Sequence, residues 1–286
     1  MKQMCLSLLV LLAVCIAPRV VSAEELWIAD IKQALALADH RDEYLLVDLY
    51  ADWCHWCKLL EREVFSTHRF KEFASQFVLL RVDTEDGGQG TRFVERLGTP
   101  SLPTTLILNP RMVKVAEVEG YLPTEKMIEA LESQLAAYRA LEQALAEFGE
   151  GDDPAILYTL GKELQARNDG ERATELYRRL LEGPGVTPEQ ELSARFRLVN
   201  SLRLSQRFDE AQEELEQARI LATAQQNNRL LEHLDLLAAD LARERGDCRS
   251  ALTYLQTFLE RYPQSSLRPQ ARRTLYALRT NEGACS

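Results

Sequence analysis

The chain has 286 residues, which is long enough for two domains of ordinary size. Hydrophobic residues make up 46% of it and charged residues 27%, as in folded globular proteins. The formal net charge is −10 at pH 7, which argues against a protein that binds nucleic acids or anionic membrane surfaces.

Residues 1–23 have the pattern of a secretory signal peptide. Lys2 gives a positive start, residues 4–17 are almost wholly apolar, and small residues precede a cleavage point after Ala23. The apolar run is shorter than the ~20 residues that a membrane-spanning helix needs. An uncleaved anchor and a lipid-anchored form at Cys15 are the alternatives. No second long apolar run follows, so we expect an exported protein without a membrane span after cleavage.

Residues 24–148 alternate between helical and strand-like patterns, which predicts an α/β domain with a mixed sheet and helices on both faces. Apolar runs of strand length alternate with segments that carry apolar residues at helical spacing. The predicted strands are 44–50, 77–82, 104–108 and 112–118. The predicted helices are 24–39, one from about His55, 91–97, and a long one capped by Thr124.

Residues 149–286 show no strand pattern and are predicted to be entirely helical. Small residues recur at the same place in successive helix pairs, namely at Ala173, Ala211 and Ala251. This pattern resembles tetratricopeptide repeats, with three units over 154–263 and a final helix near 268–278 that covers the last apolar face. The resemblance implies a concave surface that binds a protein or peptide. A plain helical bundle is the alternative.

The motif Cys54-His-Trp-Cys57 carries the clearest chemistry in the chain. It follows a buried strand and begins the next predicted helix. The free N–H groups and the positive dipole end of a helix start stabilise a thiolate, so we expect Cys54 to be an exposed nucleophile with a lowered pKa. Cys57 lies one turn further, close enough to form a disulfide with Cys54. The pair therefore predicts attack by Cys54 on a substrate disulfide, followed by resolution by Cys57.

The residues around this motif extend the pattern. They comprise Leu49-Tyr-Ala-Asp-Trp-Cys54, Val82-Asp83 at a strand end, Leu102-Pro103-Thr104 before a strand, and Gly120 before the last helix. In this order and spacing, residues 44–135 resemble the thioredoxin family, and most closely the periplasmic C-terminal domain of DsbD-type membrane thiol reductases. The resemblance implies that Pro103 follows a cis peptide bond, which is uncommon, and that the backbone of Leu102 pairs with bound substrate. An ordinary trans proline is the alternative.

Two acidic residues are candidates for moving protons at the cysteine pair. Asp48 lies inside an apolar strand, and burial raises the pKa of a carboxyl group towards neutrality. The family has an acid at this position, but the lysine that neighbours it in thioredoxin is replaced here by apolar Leu79. Glu61 lies one turn after Cys57, where DsbD-type domains also have an acid. A solvated surface glutamate is the alternative for Glu61.

Aromatic and histidine side chains surround the motif. By resemblance, Trp53 shapes the surface that contacts substrate. His55 and Trp56 occupy the variable middle of the motif and are further candidates for contacting substrate. A protonated His55 would stabilise the Cys54 thiolate, and a neutral exposed histidine is the alternative. A zinc site that uses both cysteines with His55 and His68 lacks further ligands at the usual spacing, so we predict no metal and no other cofactor.

Cys248 and Cys285 are the other cysteines outside the predicted signal peptide. A Cys248–Cys285 disulfide would attach the C-terminal tail to the helical domain, and an even cysteine count in an oxidising compartment permits it. Free thiols, or an electron relay with the first pair, are the alternatives. Disulfide geometry requires Cα atoms within ~7 Å, which spacing along the chain does not determine.

The sequence thus predicts a thioredoxin-like α/β domain followed by an all-α, tetratricopeptide-like repeat domain. The function expected is that of a periplasmic thiol–disulfide oxidoreductase that reduces or isomerises disulfides of client proteins and receives electrons from a thiol redox partner. The repeats would raise the local concentration of a client near Cys54. The alternative is a scaffold protein in which the repeats bind partners and the thioredoxin fold is a non-catalytic binding module.

Overall fold

The N-terminal half of the chain is built on a mixed four-stranded sheet. The structure is a computed structural model that describes residues 27–99 and 101–280, so the predicted signal peptide lies outside the described residues. The strands are β1 (Leu45–Tyr50), β2 (Val78–Asp83), β3 (Thr104–Leu108) and β4 (Lys114–Glu119), in the order β2-β1-β3-β4. β1 and β2 are parallel, and the other two pairs are antiparallel.

Helices cover both faces of this sheet, as predicted. They are α1 (Ile31–Arg41), α2 (His55–Leu60), α3 (His68–Ala74), α4 (Gln89–Leu97) and α5 (Thr124–Phe148). Alternate residues of β1 point to opposite faces: Leu46 packs with α2, α3 and α5, whereas Leu45 and Val47 pack with α1 and α4. The continuous apolar run in β1 is therefore explained by burial on both faces.

The N-terminal helix begins later than its spacing suggested. Residues 27–30 are not helical, and Ile28 forms a parallel bridge with Leu80 at the free edge of β2. α1 begins only at Ile31, because the Asp30 side chain caps it by accepting a hydrogen bond from the Gln33 N–H at 2.8 Å. The prediction of a helix over 24–39 was wrong in this respect.

Two further predictions needed correction. Thr124 is the first residue of α5 and not its cap; its hydroxyl donates to the Glu63 carbonyl at 3.2 Å. The fourth strand begins at Lys114 and not at Met112, because Met112 has a left-handed backbone (φ 65°) in a turn. The Asn109 side chain holds that turn by accepting the N–H groups of Arg111 and Val113.

The sequence reading missed one helix, α3, between the redox motif and β2. Thr67 caps it through its hydroxyl oxygen, which accepts the Phe70 N–H at 3.2 Å. Phe70 and Phe73 then pack into the core beneath α2. Between α2 and α3 the chain forms a π-helical turn over Glu61–Phe65, an irregularity that often occurs at functional sites.

The rest of the described chain is helical, as predicted. Its helices are α6 (Pro154–Ala166), α7 (Gly170–Glu182), α8 (Pro188–Leu204), α9 (Phe208–Ala224), α10 (Asn228–Glu244), α11 (Cys248–Arg261) and α12 (Arg268–Arg279). Each helix packs on the next, and the repeated alanines Ala173, Ala211 and Ala251 are fully buried between them. Within residues 27–99 and 101–280, no helix combines the length and apolar character needed to cross a bilayer.

The two parts of the chain are joined by α5 and by one turn of the helical part. α5 contributes Leu131 to the core beneath the sheet and Leu141 to the core of the helices. The turn after α6 lies against the outer strand β4: the carbonyl of Arg167 accepts the Lys114 N–H at 2.7 Å, and its guanidinium donates to the Val115 carbonyl at 3.0 Å.

Candidate redox site

Cys54 and Cys57 form a disulfide at the start of α2. Their Cα atoms are 5.3 Å apart. Cys54 is the N-cap residue of the helix, and its sulfur accepts the N–H of Cys57 at 3.1 Å. A helix cap of this kind brings a donor hydrogen bond and the positive end of the helix dipole to the sulfur atom, which stabilises negative charge there.

Both sulfur-bearing residues are buried, which corrects the expectation of an exposed Cys54. The exposed fractions are 3% for Cys54 and 2% for Cys57. The pair packs against Ala51, Tyr50 and Leu102, which form a small apolar cluster of their own. The motif's position at a helix start shows which backbone groups reach the sulfur, but it does not show how closely a distant loop covers it.

Exposed aromatic side chains border the disulfide. Trp53 is 68% exposed and Trp56 is 53% exposed, which is unusual for tryptophan. The indole N–H of Trp53 donates to Glu85 at 2.8 Å, while the Trp56 ring lies 5.8 Å from that of Tyr121. His55 packs edge-on against Trp56, with ring centroids 6.0 Å apart. These rings form an apolar rim on which a polypeptide could pack.

The loop before β3 completes the rim. The Leu102–Pro103 peptide bond is cis, as the resemblance implied. Leu102 contacts the cysteine cluster, and the Pro103 carbonyl accepts the Gly120 N–H at 2.8 Å. The structure therefore brings together two separate stretches of the sequence, residues 53–57 with the motif and both tryptophans, and the proline loop with Leu102.

Asp48 is buried in β1 beside a cation that the sequence reading overlooked. The side chain of Asp48 is 2% exposed, and one carboxylate oxygen lies 3.2 Å from Nε of Arg81. The parallel register places the two residues directly opposite each other on β1 and β2. Leu79 does replace the lysine that neighbours this acid in thioredoxin, but the basic neighbour of Asp48 in this chain is Arg81, two residues further along β2. Asp48 is the one charged residue of β1, and Arg81 is the one basic residue of β2, so these two residues were the available signal.

The ion pair compensates only in part for the burial of Asp48. Neither Asp48 Oδ1 nor Arg81 Nε has a hydrogen-bond partner among the described residues. Burial raises the pKa of Asp48 from 3.8 to about 7, the positive charge of Arg81 opposes this rise, and the negative charge of Glu61 adds to it. A carboxyl group with this pKa can both accept and release a proton near neutral pH.

Glu61 is paired with Arg81, the same side chain that lies beside Asp48. Its two carboxylate oxygens accept hydrogen bonds from Nη1 and Nη2 of Arg81, both at 2.9 Å. These bonds lower the pKa of Glu61, so Glu61 stays ionised at about pH 7, where Asp48 is half protonated. As a proton carrier at neutral pH, Glu61 is therefore poorly suited, although it is well placed to hold Arg81.

An open cavity of about 700 Å³ reaches this group of charges from the side of β2. Asp48, Glu61 and Arg81 line one part of it, and aromatic residues such as Trp27 and Phe70 line another. Water can thus approach the buried carboxyl group without passing the disulfide. The cavity was not predicted, because it depends on how the chain before α1 lies along β2.

The remaining candidate residues lie outside this site or outside the described chain. Within residues 27–99 and 101–280, no group of three or more histidine, cysteine or acidic side chains is arranged to bind a metal ion. Cys248 begins α11. Cys285 lies outside the described residues, so the Cys248–Cys285 disulfide stays a prediction.

Comparison with known proteins supports the fold of the first domain. Residues 26–110 match a family model described as thioredoxin-like. This domain is thioredoxin-like. The thiol:disulfide interchange protein DsbD of Pseudomonas fluorescens is 35% identical over 83 residues, which is 29% of this chain and 14% of that protein. DsbD of Klebsiella pneumoniae is 37% identical over 98 residues, which is 33% of this chain and 16% of that protein.

Among solved structures, the oxidised C-terminal domain of Neisseria meningitidis DsbD aligns with a TM-score of 0.34 and 21% identity. The alignment covers 38% of this chain and 98% of that domain. The sequence matches to the full-length DsbD proteins span only 14% and 16% of those proteins. The matched region includes the cysteine pair, Asp48 and Glu61, and it ends before the helical part begins.

Proposed function

We propose that the protein is an exported, periplasmic thiol–disulfide oxidoreductase that reduces or isomerises disulfides in client proteins. The observation that carries the proposal is the Cys54–Cys57 disulfide at the N-cap of α2, in a thioredoxin-like domain. The similarity to DsbD proteins supports the periplasmic location and the thiol chemistry.

The reaction begins with the reduced pair. The Cys54 thiolate attacks one sulfur of a client disulfide, so that the client S–S bond breaks, a mixed disulfide forms and one client sulfur leaves as a thiolate. The Cys57 thiol then loses its proton to the Asp48 carboxylate and attacks Cys54. This step forms the Cys54–Cys57 disulfide and releases the second client thiol. Two electrons have passed to the client, and a dithiol redox partner restores the pair.

The surroundings of the disulfide suit a polypeptide substrate. Trp53 and Trp56, adjacent in sequence to the buried cysteine pair, offer exposed apolar surface. Leu102, which contacts the cysteines at the tip of the proline loop, would pair through its backbone with the extended client chain. Selection would then depend on how well a client strand fits this rim, since both cysteines are buried.

The helical domain would supply a second contact with a client or with the redox partner. Its consecutive helix pairs and buried alanines support a repeat arrangement related to tetratricopeptide repeats. α5 and Arg167 attach it firmly to the sheet. A weak contact there would raise the effective concentration of a disulfide near Cys54.

Trapping of the mixed disulfide tests the proposal directly. The reduced protein is mixed with a peptide that contains one disulfide, and adducts are resolved by mass under non-reducing conditions. Cys57→Ser should accumulate a peptide adduct at Cys54, whereas Cys54→Ser should form none. The double substitution Cys248→Ser/Cys285→Ser is the control and should leave exchange intact. Full biological function in Cys54→Ser would instead favour a scaffold role.

A further inference from the structure

Arg81 contacts both acids of the redox site, and among the described residues no other cation forms an ion pair with both. Its Nε lies 3.2 Å from Asp48, and its two terminal nitrogens donate to both oxygens of Glu61 at 2.9 Å. The guanidinium also lies over the Tyr50 ring, 4.5 Å from its centroid. With three partners around a planar fork, the side chain has a fixed orientation at the wall of the cavity.

We propose that Arg81 is a positioning residue of the redox site, which holds the buried Asp48 carboxyl group in a state from which it can both take and return a proton. This inference rests on the proposed redox function. In this view Arg81 has the role that a lysine at a different position of the strand has in thioredoxin. Glu61 would partly neutralise the positive charge of Arg81.

Opposing electrostatic effects act on one buried group, the carboxyl of Asp48. A carboxyl group that is almost fully buried and lacks a hydrogen bond at Oδ1 would stay protonated at neutral pH if it had no cation beside it. The positive charge of Arg81 favours ionisation. A cation at 3.2 Å without any competing acid would favour it too strongly, so that the group would keep its charge and no longer return the proton. The two hydrogen bonds to Glu61 reduce this effect.

The other groups near Asp48 are neutral or acidic, so Arg81 is its counter-charge. Tyr50 follows on the same strand, and its hydroxyl is neutral below strongly alkaline pH because its pKa is raised by burial and by nearby acids such as Asp83. Glu61, in the π-helical turn after α2, is the acid whose negative charge acts on Asp48. No ion pair between Asp48 and a cation other than Arg81 occurs within residues 27–99 and 101–280.

The carboxyl titration of Asp48 tests this inference without reference to catalysis. Oxidised full-length protein, labelled with ¹³C at aspartate carboxyl carbons, is titrated by NMR, and Asp48 is assigned from its missing signal in Asp48→Asn. In Arg81→Met the midpoint should rise by about one pH unit or more, since an adjacent opposite charge shifts a pKa by ~1–3 units. Arg81→Lys keeps the positive charge, so its Asp48 midpoint should stay near that of the wild type.

Two further variants make the result specific. Glu61→Gln should lower the Asp48 midpoint, because it removes a negative charge and releases Arg81 towards Asp48. Arg62→Met is the matched control: Arg62 is an exposed neighbour paired with Glu63 at 2.9 Å, and its loss should leave the midpoint unchanged. If Arg81→Met is too unstable to titrate, the shift of the Asp48 midpoint in Glu61→Gln still tests the inference. A midpoint that does not fall in this variant would overturn it.

The exchange rate provides the second measurement. The pH at which client reduction reaches half its maximal rate should rise in Arg81→Met by the same amount as the carboxyl midpoint. An unchanged Asp48 midpoint in Arg81→Met, or a moved midpoint with an unchanged rate profile, would overturn the inference while the wild type still exchanges disulfides. A wild type without any exchange would refute the proposed function itself, whatever the titration shows.

Discussion

Replacing Asp48 by asparagine should make the thioredoxin-like domain more stable at neutral pH. Folding transfers this carboxyl group to a site where its pKa is about 7 instead of 3.8. Below pH 3.8 the carboxyl group is protonated in both the folded and the unfolded state, so it does not lower the free energy of unfolding. As the pH rises from 3.8 to about 7, the unfolded chain releases the proton and the folded chain retains it, so the stability of the fold falls. Above about pH 7 the group has lost its proton in both states, and the free energy of unfolding falls no further.

The size of the effect follows from the difference between the two pKa values. Each pH unit corresponds to about 1.4 kcal/mol, so the full loss is about 4 kcal/mol. Between pH 5 and pH 8 the advantage of Asp48→Asn over the wild type should therefore grow by about 3 kcal/mol. Asparagine keeps the shape of the side chain and has no charge to desolvate, while Arg81 keeps its two bonds to Glu61.

Urea unfolding followed by tryptophan fluorescence is a suitable assay, because the chain has three tryptophans, Trp27, Trp53 and Trp56, and all lie in the thioredoxin-like domain. The helical part therefore does not contribute to the signal. Both proteins are kept oxidised and are compared at pH 5, 6.5 and 8. A stability difference that is the same at the three pH values, or that shrinks as the pH rises, would refute the reasoning about Asp48.

Three other predictions concern separate parts of the molecule. Gly170→Ala should destabilise the helical part by about 1–3 kcal/mol in circular dichroism melts, since a Cβ there would lie 2.5 Å from the Ser201 carbonyl oxygen; unchanged stability would contradict this packing. Glu85→Leu removes the hydrogen bond that holds Trp53, and it should raise KM for a protein client about five-fold, as expected for one lost hydrogen bond. KM for a small disulfide compound should stay unchanged. Peptide mapping without reductant should recover Cys248 linked to Cys285; separate alkylated peptides would refute that pairing.

The elements around the motif could be predicted because their signals are local. The apolar run before Cys54 and the helical spacing after it placed β1 and α2 within one or two residues of where they lie. Pro103 could be placed through the resemblance, since its neighbours occur in the family's order. The long-range contacts were harder. α3 was missed because the spacing of Phe70 and Phe73 reads as a continuation of the preceding helix.

The electrostatics of the site depended on a register that no local pattern gives. Asp48 and Arg81 are 33 positions apart along the chain, and only the parallel pairing of β1 with β2 makes them neighbours. A shift of that register by one residue would have placed Leu80 or Val82 opposite Asp48. Likewise, Cys54 is buried by Leu102 from the proline loop, a contact that its helix-start position does not imply.

The reduction potential of the Cys54–Cys57 pair tests the central claim most directly. The protein is equilibrated with glutathione or dithiothreitol redox buffers, thiols are alkylated, and the oxidised fraction is read by mass. We expect a reversible two-electron transition near that of thioredoxin, about −270 mV, as suits a reductase that a dithiol partner supplies. A transition near −120 mV would make the protein an oxidant, and a pair that does not cycle would contradict the enzymatic account altogether.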